Sequence, residues 1–175
     1  MAADLHVEWM EPIELERDGK FKLVLDPDSV PEAPGVYMFF RRVGKERGQA
    51  IYIGKAENLR SRTKGQVKNN DIISALLDGK GAYFLMPGVF KPLPGQTSEQ
   101  ALDLIERALI RDCVEEGHPL INIKGMRIRT RHVVSTLAAG GKFLNERIAF
   151  EPPSTKKSKP ATKAVSKRAR PKRAP

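Results

Sequence analysis

Two short apolar runs constrain this chain more than any other feature. Pro34-Gly35-Val36-Tyr37-Met38-Phe39-Phe40 and Ile51-Tyr52-Ile53-Gly54 are rich in β-branched and aromatic residues. Each is bounded by turn chemistry, which predicts two strands. Side chains alternate along a strand. Val36, Met38 and Phe40 are therefore expected on one face and Tyr37 and Phe39 on the other. On the second run Ile51 and Ile53 are expected to share a face, with Tyr52 opposite. Pairing across the polar loop 41–49 merges the aliphatic faces into a core and stands the two tyrosines together on the other side. On pattern alone, two tyrosines in an ordinary hairpin fit equally well.

The flanking segments supply partners for this pair. Residues 11–16 and 21–25 flank Asp18-Gly19, a hairpin signal, with Trp9 placed to pack on it. Three prolines between Asp26 and Pro34 make an extended connector. Residues 57–68 are polar and helical in pattern, touching the core through Leu59 and Val67. Residues 71–77 form a compact amphipathic helix ended by Gly79. Residues 81–86 read as a third strand stopped by Pro87-Gly88, and 87–97 as a loop. Residues 120–123 are short and β-like, and 126–134 alternate with arginines on one side. Residues 137–143, with Gly140-Gly141, read as a turn or a helix end.

The clearest helix runs from Glu99 to Glu116, with Ser98 as N-cap and Gly117 as its end. Leu102, Ile105, Leu109 and Cys113 fall on one face, and Glu106 falls inside that apolar stripe. A carboxylate there is costly unless a cation or hydrogen-bond donors meet it. A salt bridge to a neighbouring arginine is one reading; a metal ligand or acid–base group at the core's edge is the other. Cys113, the single cysteine, reads as a small core residue. It can form no intramolecular disulfide, and no cysteine cluster exists for zinc.

Charge is unevenly spread. Residues 152–175 hold nine Lys or Arg and no acid; removing them from the 31 basic residues leaves 22 against 21 acidic ones. The body is nearly neutral, and the basicity is a C-terminal appendage whose composition predicts disorder. The first residues lack the pattern of a signal peptide. No apolar run reaches the ~18–20 residues of a membrane span. A soluble, cytoplasmic (nucleoid-associated) protein is expected.

Gly35-Val36-Tyr37, Tyr52-Ile53-Gly54, then Arg62, Glu106 and Asn122 occur in the order that resembles the GIY-YIG nuclease family. The run from Tyr52 to Arg62 is especially similar to the N-terminal nuclease domain of the bacterial repair excinuclease. The resemblance covers residues 33–124. It implies an α+β fold, with a small three-stranded sheet flanked by helices. It also implies phosphodiester hydrolysis of DNA with one divalent cation, Mg²⁺ or Mn²⁺, held by Glu106. Arg62 would stabilise transition-state charge, and Tyr37 would help deprotonate the attacking water once nearby charge lowers its pKa. Tyr52 would share that water or orient Tyr37, and Asn122 would hold the geometry. Lys55, Arg60, Lys64 and Lys68 are candidate DNA contacts, Lys64 and Lys68 fitting a solvated helix face equally well. His118, beside the helix end, reads as structural. The loop between the tyrosines and the span from Glu106 to Asn122 are longer than is common in the family. Position 66 holds Gln where many members carry a catalytic His or Tyr, and Gln cannot act as a base.

The domain reading is a hairpin extension and linker at 1–32, the nuclease-like domain at 33–124, a packed extension at 125–151 and a basic tail at 152–175. A DNA endonuclease in repair, restriction or mobile-element biology is the leading expectation. The alternative is a nucleic-acid-binding protein that retains the fold with weak or no cleavage. A third possibility is a tail that docks on acidic protein or lipid; it lacks the aromatics and amphipathic spacing for membrane insertion.

Overall fold

In the computed structural model the described residues are 4–19, 22–42, 48–93, 95–123, 132–138 and 147–150. They form an α+β structure in which eight strands make one sheet. β4 (Gly35–Arg42) is its axis. It pairs antiparallel with β5 (Gln49–Ala56) on one edge and with β6 (Ala82–Phe90) on the other. This is the three-stranded unit the sequence predicts, but the sheet does not end there. The far edge of β6 carries β1 (Asp4–Trp9) along Gly88–Phe90 and β2 (Ile13–Arg17) along Tyr83–Leu85. β3 (Leu23–Val24) completes the hairpin predicted around Asp18-Gly19. β7 (His132–Ala138) adds parallel to β1, and β8 (Arg147–Phe150) adds antiparallel to β7.

Pro87 does not stop β6. Its carbonyl accepts from Met10 N–H at 2.9 Å. The N–H and C=O of one strand residue face the same edge, so the Pro87 nitrogen points at the break between β1 and β2. A missing N–H costs no ladder bond there. Gly88 follows because a side chain at that position would meet Val7 and Trp9, at 2.7 and 2.8 Å. Trp9 is thus packed over β6 in its own strand and not on the β2–β3 hairpin.

Each sheet face carries its own core. On one face Val36, Met38, Phe40, Ile53 and Met86 meet α3 (Ser98–Glu115) through Leu102, Ile105, Leu109 and Cys113. On the other, Tyr37, Phe39, Ile51 and Leu85 meet α1 (Leu59–Gln66) and α2 (Asn70–Leu77) through Leu59, Ile72, Ile73 and Leu76. The predicted alternation holds along β4. It fails on β5, where Ile51 and Ile53 lie on opposite faces. Phe39 pairs with Tyr52 and Phe40 with Ala50, so Ile51 is an extra residue in a bulge. The bulge turns Ile51 to the same side as Tyr52.

Helix ends follow ordinary capping. Asn58 Oδ1 accepts from Ser61 N–H at 2.9 Å, and Asn69 Oδ1 from Asp71 N–H at 3.0 Å. For α3 the N-cap is Thr97 and not Ser98, and Gly117 ends the helix with φ +80°. The predicted connector 26–34 includes a single 3₁₀ turn at Pro27–Ser29. The expectations for 126–131, 139–143 and the tail 152–175 lie outside the described residues.

Candidate functional site

The site begins with two glycines that leave room for other atoms. A Cβ on Gly35 would stand 2.1 Å from the Gly88 carbonyl oxygen, so this position lets β4 and β6 approach. A Cβ on Gly54 would stand 2.4 Å from the Tyr37 hydroxyl and 2.5 Å from its Cζ. Gly54 is the cross-strand partner of Tyr37, and the phenol lies across the space its missing side chain leaves. Tyr37 and Tyr52 then stack, with centroids 6.1 Å apart and planes 23° from parallel. The Tyr37 ring is buried and is one of the largest side chains in the core.

We expect Gly54→Ala to displace the Tyr37 ring. Overpacking of this kind costs about 1–3 kcal/mol. Thermal unfolding should show the loss, and near-UV circular dichroism should report a changed tyrosine pair in the protein that remains folded. An unchanged spectrum would mean that the strand accommodates the methyl group without moving Tyr37.

Arg62 stands on the exposed side of α1, and its guanidinium interacts first with Tyr37, then with Tyr52 and Glu106. The Tyr37 hydroxyl is buried without a hydrogen-bond partner of regular geometry. Burial, with a smaller contribution from Tyr52, drives its pKa well above that of an ordinary phenol; Arg62 opposes this but does not win. This corrects the expectation that nearby charge lowers it, because desolvation inside the sheet exceeds the pull of one largely solvated guanidinium.

Glu106 is half-buried on the stripe of α3 facing β5. Burial raises its pKa above 4.5 and Asp103 adds to the rise, while Lys55, Arg107 and Arg62 oppose it. Asp103 escaped the sequence reading. It pairs with Lys55 Nζ and sits one turn before Glu106. Spacing of i, i+3 on one helix face was the available signal.

Asn122 completes a short pseudo-strand along the free edge of β5. Its Oδ1 accepts from Ile53 N–H at 3.2 Å, and its Nδ2 donates to the Ile53 carbonyl. Ile121 N–H donates to the Ile51 carbonyl at 2.9 Å, and Ala50 N–H donates to His118 Nδ1 at 3.4 Å. The segment after α3 therefore covers the strand edge with side chains as well as backbone.

Among the other candidates, Lys55 lies beside the site, and Lys64 and Lys68 are exposed. Arg60 is held within the chain: its Nε donates to the Val30 carbonyl at 2.8 Å, and its Nη1 pairs with Glu32 at 2.7 Å. It fastens α1 to the 26–34 connector.

Two clefts are lined by residues of this site. One, of about 810 Å³, is lined by Tyr52, Glu106 and Asn122 with residues of α2. The other, of about 760 Å³, is lined by Lys55, Arg62 and Gln66 with the start of α3. Among the described residues no three His, Cys, Asp or Glu side chains converge on one point, and no helix is long and apolar enough to cross a membrane.

No family model matches the chain, and no solved structure matches it. The chain is 39% identical over 64 residues to the UvrABC system protein C of Chlorobium chlorochromatii, which is 35% of this chain and 10% of that protein. It is 40% identical over 52 residues to the UvrABC system protein C of Neisseria meningitidis, 30% of this chain and 8% of the relative. The chain thus spans about a tenth of the length of these relatives, and over part of its own length it is homologous to protein C of the UvrABC system.

Proposed function

We propose that this protein is a GIY-YIG-type DNA endonuclease that uses one divalent cation, Mg²⁺ or Mn²⁺, and acts in DNA repair. The observation that carries the reading is the convergence on Arg62 of Glu106 and the stacked pair Tyr37 and Tyr52, residues that come from two strands and two helices. The local similarity to UvrABC system protein C supports the repair context.

The residues fit a hard cation. Glu106 is a carboxylate whose desolvation is only partly offset by Lys55, Arg107 and Arg62. The Tyr37 hydroxyl is buried beside Arg62 without a hydrogen bond of regular geometry. Both are relieved by a charged, hydrated occupant. A single carboxylate suits Mg²⁺, which keeps several waters and shares substrate oxygens. When bound, such an ion supplies Lewis acidity toward a phosphate oxygen and the leaving oxygen.

The chain's own groups divide the remaining work. Arg62 places a fixed positive charge where the phosphate gains negative charge in the transition state. Tyr37 carries its proton in the free protein, so its hydroxyl stands beside the attacking water as a hydrogen-bonding group and could take the water's proton only after giving up its own to solvent, once a bound cation had lowered its pKa. Tyr52 keeps the Tyr37 ring in place by stacking. Asn122 holds the β5 backbone at Ile53, between Tyr52 and Gly54.

Incubation with duplex, branched and damaged DNA, in Mg²⁺ and in EDTA, tests the proposal. Cleavage in Mg²⁺ that EDTA abolishes is the expected result. Tight binding with no cleavage of any substrate would leave the alternative, a fold retained for binding alone.

For the basic tail we propose an electrostatic tether. Nine cations spread without periodicity among Pro, Ala, Ser and Thr can neutralise phosphates but offer no side-chain pattern for reading base edges. If about five engage duplex DNA, deleting 152–175 should reduce the slope of log affinity against log salt by about 4–5. Equal slopes for full-length and truncated protein would assign DNA binding to the nearly neutral body alone.

A further inference from the structure

We infer that Gln66 is the positioning residue for Arg62, holding the guanidinium toward the Tyr37–Tyr52 pair. The two residues are four apart on α1, and side chains at i and i+4 lie on the same helix face. With its oxygen turned toward the guanidinium, the Gln66 amide accepts from both Nε and Nη2 of Arg62, each at 3.3 Å. The opposite orientation gives that oxygen one bond, from Asn69 Nδ2 at 3.3 Å. Turning the oxygen to Arg62 sets the Gln66 amide nitrogen 3.3 Å from Asn69 Nδ2, donor against donor, whereas the opposite orientation sets that nitrogen against the two Arg62 donors. A donor facing a cation is the costlier conflict, and the two bonds gained from the cation are each about twice as strong as a neutral one, so the first orientation is favoured.

The geometry explains why an uncharged acceptor suits this position. Arg62 is exposed, and a long side chain in water samples many rotamers. Its terminus must reach Tyr37 across the mouth of the cleft that Lys55 and Gln66 also line. Gripping Nε and Nη2 leaves the two protons of Nη1 and the remaining proton of Nη2 to serve the Tyr37 hydroxyl and a phosphate. A neutral partner does this without cancelling the positive charge. Gln66 thereby contributes through Arg62 and not through proton transfer, which its amide cannot perform.

This rests on the proposed nuclease reading, and the test separates the two. It uses the full chain and the variants Gln66→Ala, Gln66→Leu and Gln66→Glu. The first readout is ¹⁵N relaxation of the Arg62 Nε–H group without DNA. In Gln66→Ala and Gln66→Leu its order parameter should fall toward the flexible range, below about 0.6, while the backbone of α1 stays rigid. Gln66→Glu, which keeps an acceptor, should restore the order. The second readout is single-turnover cleavage at saturating DNA in Mg²⁺. Alanine and leucine should lower it about ten-fold with unchanged DNA affinity, as loss of a supporting partner typically does, and glutamate should recover part of the rate. Arg62 equally ordered in wild type and Gln66→Ala would overturn the assignment. A wild-type protein that cleaves no DNA would overturn the nuclease reading, and the assignment would then stand or fall on Arg62 order alone.

Discussion

Glu106→Ala should abolish Mg²⁺-dependent cleavage while leaving the protein folded, and at neutral pH at least as stable as the wild type. The first half follows from the proposed role of this carboxylate as the cation's protein ligand. The second follows from linkage. Burial raises the Glu106 pKa in the folded protein above 4.5, so the protonated form favours folding. That contribution is fully present below the unfolded-state pKa and is lost as pH rises through the folded-state value. At neutral pH the ionised carboxylate in its half-buried place opposes folding, and alanine removes that cost along with some packing. Glu106→Gln keeps the packing and should therefore melt no lower than wild type near pH 7 without metal. Its advantage should shrink as the pH falls toward 4. Thermal melts across this range, beside cleavage assays, check both halves. Wild-type cleavage by Glu106→Ala would remove the carboxylate from the metal site, and a lower melting temperature for Glu106→Gln at pH 7 would mean that Lys55 and the arginines outweigh desolvation.

The parts of this fold legible in the sequence depend on short-range pattern. Alternation along β4, the capped helices α1 and α2, and the apolar stripe of α3 with Glu106 inside it all follow from neighbours within a few turns. The stacking of Tyr37 on Tyr52 follows from pairing two adjacent strands. What is not legible depends on partners far along the chain. The bulge at Ile51 exists only in register with Phe39 and Phe40, and it sends two isoleucines of one run to opposite faces. β1 is short, and its parallel partner begins more than a hundred residues later, opposite Asp4 at Val133. Pro87 signals a strand end unless the break between β1 and β2 is known to face it. The glycines of the two motif halves are recognisable, but the reason for them is not: it lies in the Gly88 carbonyl and the Tyr37 ring. The direction of the Tyr37 shift reverses the sequence expectation because the sequence names the charges near a phenol but not the depth at which it is buried.

Arg62→Ala should lower turnover by about 10²–10³, the usual loss for a donor that acts on transition-state charge, and should change DNA affinity far less. Arg62 is largely solvated, so its contact with a ground-state phosphate competes with water. Its interaction with Tyr37 and Tyr52 holds it where charge develops, which makes its contribution larger during the reaction than before it. Arg62→Lys should recover little, because a point charge on a flexible stem replaces neither the fork nor its contact with Gln66. Single-turnover rates at saturating DNA separate this from a binding defect. A rate equal to wild type with weakened affinity would reduce Arg62 to a backbone contact.

The central claim is that residues from β4, β5, α1 and α3 form one catalytic unit. A double-mutant cycle tests it most directly, with single-turnover cleavage of one DNA substrate in Mg²⁺ by wild type, Arg62→Ala, Tyr37→Phe and the double variant, all of which should keep a measurable rate. Groups that act as a unit are strongly non-additive. We predict that the double variant is no slower than the slower single variant. Losses that multiply across the two sites would contradict the account, because Tyr37 and Arg62 would then act independently.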